Sequence, residues 1–169
     1  MKAKLVVEGH EFDIEILDHK LQELIAPSKK TGYERVNMGE TFYSVRADGT
    51  VFEPMENHGP AHDLYYGIAN YYSSVDVAED NSRADELMRQ LRRFAVEHRE
   101  KELNFQETVY WIGYDFKSLN DLAVLWNEEG LLAKSYGIIY FDSKKTAQLA
   151  IETFRDELIW YFTEYKDSL

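Results

Sequence analysis

Alternating polar and apolar positions open the chain. Lys2 to Val7 is rich in strand formers, Glu8-Gly9-His10 interrupts the run, and Glu11 to Leu17 alternates, with Phe12, Ile14 and Ile16 on one face and Glu11, Asp13 and Glu15 on the other. This period of two predicts a hairpin with one wet face. Asp18 is placed to cap a short helix carrying Leu21, Leu24 and Ile25, which Pro27-Ser28-Lys29-Lys30 ends. Thr41 to Arg46 and Thr50 to Glu53 flank Ala47-Asp48-Gly49, and Asp-Gly between two such runs predicts a second hairpin, because Gly accepts the positive φ of the turn.

Further along, Pro54 to Pro60 reads as a loop and Leu64 to Tyr72 as an aromatic strand. Ser74 begins a helix that is expected to be interrupted or strained at Asp80-Asn81-Ser82 before it resumes over Arg83 to Lys101, with Leu87, Leu91, Phe94, Ala95 and His98 on one face. Thr108 to Phe116 and Leu122 to Trp126 read as paired strands, Asn127-Glu128-Glu129-Gly130 as a turn, and Ile138 to Phe141 as a further strand. From Ser143 onward, Ala147, Ala150, Ile151, Phe154, Leu158, Tyr161, Phe162 and Tyr165 fall at helical spacing and predict one long amphipathic helix.

Two strand-to-helix corners share the pattern Tyr-aromatic-x-Ser-x-x-x-Ala. One is Tyr71-Tyr72-Ser73-Ser74 with Ala78, the other Tyr140-Phe141-Asp142-Ser143 with Ala147. An aromatic strand end running into a Ser N-cap serves any such corner, so the recurrence reports architecture more than chemistry. The expected fold is α+β: antiparallel hairpins and sheets with two long amphipathic helices in two similar strand-to-helix units. Residues 1–30 form the N-terminal hairpin and short helix, 31–104 the first unit and 105–169 the second, in one compact body.

At 169 residues and 44% hydrophobic content the chain can bury a sizeable core. It has no Cys, and its N-terminal apolar run turns polar too soon for a signal peptide or membrane span, which predicts a soluble protein of a reducing, bacterial cytoplasm. The net charge of −12, from 31 acidic against 19 basic side chains, opposes direct nucleic-acid binding. It favours a basic protein partner, such as a nuclease whose groove itself binds nucleic acid, and an encounter that salt weakens. Solubility alone is the plainer reading of the same charge.

The Lys2 to Gly9 opening, the Gly39-Glu40-Thr41-Phe42-Tyr43 run leading to Asp48-Gly49-Thr50-Val51, and the Tyr140-Phe141-Asp142-Ser143 corner with Ala147, Ala150 and Ile151 carry a resemblance. Together they resemble small accessory proteins of phages and prophages of Gram-positive bacteria. The resemblance implies a class mostly without an assigned biochemical role; some small proteins from similar gene neighbourhoods block host defence nucleases. It implies no functional residue. The chain departs from the pattern after Ala78, where Glu79-Asp80-Asn81-Ser82 replaces an apolar helix stripe.

Glu11, Asp13 and Glu15 stand about 7 Å apart along one strand face, twice the strand rise. That spacing is comparable to neighbouring phosphates, so the row is a candidate nucleic-acid mimic, although a wet hairpin face explains it as well. With Glu128 and Glu129 in a turn, these are the candidate partner-binding residues of an anti-CRISPR-like inhibitor. His58, His62 and Asp63 form a weak metal pattern that Gly59 and Pro60 disfavour. Arg89, Arg92 and Arg93 form a basic stripe that suits a small-ligand or nucleotide binder, but neighbouring Glu residues on the same helix explain it by ion pairing. A structural homo-oligomer is a third reading. No Gly-rich phosphate loop, Gly-x-Ser-x-Gly or His-Glu-x-x-His occurs, so a non-enzyme without metal or cofactor is expected.

Overall fold

The computed structural model describes residues 2–7, 10–15, 30–128 and 133–165. Strand β1 (Lys2–Val7) pairs antiparallel with β2 (His10–Glu15), in a register running from Lys2 opposite Glu15 to Val7 opposite His10. This is the hairpin that alternation predicts. The short helix expected after it lies outside the described residues.

The second hairpin joins β3 (Ser44–Val45) to β4 (Val51–Phe52) through Asp48-Gly49. Gly49 has φ +86° and its N–H donates to Arg46 O at 2.9 Å, while Asp48 Oδ1 accepts from the Thr50 amide at 3.0 Å and hydroxyl at 2.7 Å. The turn thus closes as an Asp side chain and a positive-φ glycine require.

The aromatic strand expected over Leu64 to Tyr72 is instead mostly helix α1 (Pro60–Gly67). Pro60 sits in its first turn, where a missing N–H costs nothing and a fixed φ favours the helix, so the residue that reads as a breaker acts as a starter. Of the expected strand only its end keeps extended pairing, with Tyr72 bridging Tyr43 by reciprocal backbone hydrogen bonds of 2.8 and 2.9 Å.

Helix α2 (Val75–Glu97) runs its 23 residues without the expected interruption at Asp80-Asn81-Ser82. Its polar residues there make tertiary bonds, although Asn81 Nδ2 also donates back to Val77 O at 2.8 Å within the helix. Asn81 Nδ2 donates to Tyr33 Oη at 2.9 Å and its Oδ1 accepts from Tyr165 Oη at 3.0 Å, while Ser82 Oγ donates to Gly49 O at 2.7 Å.

Strands β5 (Val109–Asp115), β6 (Asp121–Asn127) and β7 (Tyr140–Phe141) form an antiparallel sheet in the order β6-β5-β7. The single long C-terminal helix divides into α3 (Lys144–Thr153) and α4 (Arg155–Thr163) at Phe154, which has φ −116° and ψ 23° and packs edge-to-face on Phe94 at 5.5 Å. Within α4, Leu158 and Trp160 are both buried.

The α+β class stands, with the second of the expected long helices broken. The two corners correspond in backbone and burial, Ala78 and Ala147 each fully buried with their N–H groups donating to Ser74 O and Ser143 O at 3.2 Å, but only Ser143 caps its helix with its side chain, accepting from Thr146 N, while Ser74 makes no such bond. Both halves rest on α2 without sharing a sheet. This helix contacts β3 and β4 and bonds their turn through Ser82, while Leu87, Leu91, Phe94 and Ala95 join Leu122, Val124, Phe141, Ala147, Ala150, Ile151 and Leu158 in the main core.

Candidate functional site

The densest polar cluster in the described residues is built around Glu56. This carboxylate is buried, and Tyr71 Oη donates to its Oε2 at 2.6 Å. The His58 amide donates to Oε1 at 2.6 Å, His62 Nδ1 lies 3.2 Å from the same oxygen, and the Arg35 guanidinium reaches both oxygens at 3.4 Å. Arg35 also pairs with Asp63 at 2.7 Å and sits 5.6 Å from the centre of the Tyr66 ring. Burial pushes the Glu56 carboxyl up, but the bonds from Tyr71, the His58 amide, Arg35 and His62 prevail and hold it at about 2. Burial, reinforced by the bond to Glu56, pushes the Tyr71 hydroxyl up to about 12.

The backbone that makes this cluster is local at His58 and long-range elsewhere. His58 takes φ +54°, turning its amide back onto Glu56 just before α1 begins. Tyr71 arrives from the first corner, stacks on Phe42 at 4.1 Å between ring centres, and accepts the Val36 N–H. All oxygens of Glu56 are therefore committed to protein groups, and the cluster works as a clamp on α1.

The other end of α1 is held too. Asn70 Oδ1 accepts from Val45 N and its Nδ2 donates to Val45 O, both at 2.8 Å, so one side chain pairs with β3 as a strand would. Between these ends, His62 and Tyr65 turn inward onto Phe42 and Phe52. The outward face carries Ala61, Leu64 and Ile68 at helical spacing, and Leu64 and Ile68 are 62% and 60% exposed. Met55, in the strand segment that carries Glu56, is exposed as well. An apolar stripe on a firmly seated, outward helix is a docking geometry.

The residues singled out from the sequence are placed as follows. His58, His62 and Asp63 do come together, but around Glu56 and Arg35, and among the described residues no group of three His, Asp or Glu side chains is arranged to hold a metal. Glu11 is exposed on β2, while the register sets Lys4 opposite Asp13 and Lys2 opposite Glu15. Opposed positions of unlike charge dilute a phosphate-like row. Glu128 is exposed at the end of β6 and accepts from Trp126 Nε1 at 3.4 Å; Glu129 lies outside the described residues. Arg89, Arg92 and Arg93 are exposed on α2, with Arg93 3.8 Å from Glu97 one turn on.

Sequence reasoning missed Glu56, Tyr71 and Arg35. In a chain with 31 carboxylates a single Glu carries no signal, and its partners are distant in sequence. It also missed Arg83, which lies 3.9 Å over the Trp160 ring and forms a two-bond pair with Glu157 at 2.7 and 3.0 Å.

No family model matches the chain, and comparison with curated proteins and with solved structures gives no match either. Among the described residues no helix is long and apolar enough to cross a membrane.

Proposed function

We propose that this protein acts by binding another protein, with α1 as the docking element. The observation that carries this is the outward Ala61-Leu64-Ile68 stripe, held by the Glu56 clamp at one end and by Asn70 at the other. Seating a helix in advance removes ordering cost from association, and spaced apolar anchors suit a groove on a partner. The net charge of −12 selects a basic partner and speeds its capture.

The nuclease reading from the sequence fits this scheme as its finer form. A phage-type accessory protein of this charge would inhibit a host defence nuclease by covering its basic nucleic-acid surface, with Glu11, Asp13, Glu15, Glu128 and Glu129 giving the long-range attraction. Glu11 and Glu128, both exposed, are the test positions.

The test is a pull-down from host lysate at low and high salt with the native chain, Leu64→Glu/Ile68→Glu and Glu11→Lys/Glu128→Lys. The expected result is one stoichiometric, nucleic-acid-binding partner that high salt releases and the α1 variant fails to retain at unchanged melting temperature. The charge variant should need less salt for release. Equal retention by the folded α1 variant would remove the proposal.

A further inference from the structure

A second feature owes nothing to α1. The β7 ladder with β5 ends at Trp111 opposite Tyr140, and the chain just before β7, Tyr136 to Ile139, diverges from the β5 edge. The divergence opens a groove of about 380 Å³ whose floor is the main core. Leu87, Leu91 and Leu158 lie at that floor, Trp111 and Ile139 form walls, and Phe162 closes one side. Fully exposed Tyr136 stands at the mouth.

Three observations say what fits there. The volume falls in the small-ligand range and exceeds ordinary packing voids. Among the described residues, none that lines the groove is charged, although 30% of the chain is. Five of the described lining residues, Trp111, Tyr136, Phe141, Tyr161 and Phe162, are aromatic, the type that offers ring faces and edges for stacking. A charged ligand would lose its hydration without a counter-charge, inside a chain whose net charge repels anions.

From these we infer that the groove between α2, the β5 edge and α4 binds a small, uncharged aromatic molecule. Occupancy removes apolar floor and ligand surface from water together, and a dissociation constant between about 10 µM and 1 mM suits a ligand of this size.

Titration of the ¹⁵N-labelled full chain with indole, followed by amide and side-chain NMR, tests this. The Trp111 indole N–H and the Gly113 amide should shift saturably, while the Trp126 and Trp160 indole signals stay in place. Met88→Phe and Ile138→Phe, which add bulk at the groove without touching the α1 clamp, should each weaken binding at least tenfold with the spectrum otherwise native. Benzoate should bind at least tenfold more weakly than indole.

Unmoved Trp111 and Gly113 signals at millimolar indole would overturn the inference, as would equal binding by both folded variants or by benzoate. The same signals shifting with protein concentration alone would show a second copy covering the groove, and that too would overturn it. Because α1 is intact in every sample, failure here leaves the protein-binding proposal standing, and the reverse holds for the α1 variants.

Discussion

Tyr71 donates its hydroxyl hydrogen to Glu56 Oε2 across 2.6 Å, and both side chains are almost fully withdrawn from solvent. A hydrogen bond to a buried carboxylate is worth more than a neutral one, and removing the donor leaves the anion short of a partner it has nowhere else to find. Tyr71→Phe keeps the ring on Phe42 and also orphans the Val36 N–H. The expected loss is about 1.5–3 kcal/mol in urea unfolding, with an unchanged slope.

The same pair contributes to how stability depends on pH at both ends of the scale, at the acid end beside Glu34, whose carboxyl is also held at about 2 by the Thr31 backbone and hydroxyl. The Glu56 carboxyl stands at about 2 in the folded chain against its ordinary 4.5, so the unfolded chain binds more protons between these values. Its contribution is complete above pH 4.5 and disappears as pH falls toward 2. Tyr71 is raised from 10.0 to about 12, so its contribution is complete below pH 10 and fades as pH rises toward 12. Melting temperatures of the native chain and Glu56→Gln, measured across pH, should converge at the acid end and separate toward neutrality. Parallel curves would remove Glu56 as the source of the slope.

Ser82 is the polar residue that makes the middle of α2 useful, through its bond to Gly49 O. Ser82→Ala leaves a buried side chain of similar size and removes that one bond. A loss of about 1 kcal/mol is expected, with faster hydrogen exchange in the Asp48-Gly49 turn than in β5 and β6.

Ala78 and Ala147 hold equivalent, fully buried places one turn into the helices of the two corners. Leucine at either forces extra methylenes into a closed contact. Each change should cost about 1–3 kcal/mol or more, and Ala→Gly at the same positions about 1 kcal/mol, which separates overpacking from helix propensity.

The parts legible in the sequence are those whose causes are local. Asp48-Gly49 specifies its turn with two adjacent residues, and Leu87, Leu91, Phe94 and Ala95 announce a buried helix face by spacing alone. Pro60 misled because one residue both ends one kind of segment and begins another, and only the structure says which. Asn81 and Ser82 looked like a break because their tertiary partners, Tyr33, Tyr165 and Gly49, are remote. Phe154 reads as one more member of a helical stripe, while its φ of −116° and ψ of 23° interrupt the helix there and its ring packs edge-to-face on Phe94, a partner remote in sequence. The Glu56 clamp was invisible for the same reason, since Arg35 and Tyr71 lie 21 and 15 positions away.

Helix α2 seats the Asp48-Gly49 hairpin through Ser82 and packs Leu87, Leu91, Phe94 and Ala95 into the core of the three-stranded sheet. A rod shared in this way makes the two corners fail together. Heating should give one sharp transition in place of two, and neither corner can be excised as a free-standing module unless the whole rod travels with it.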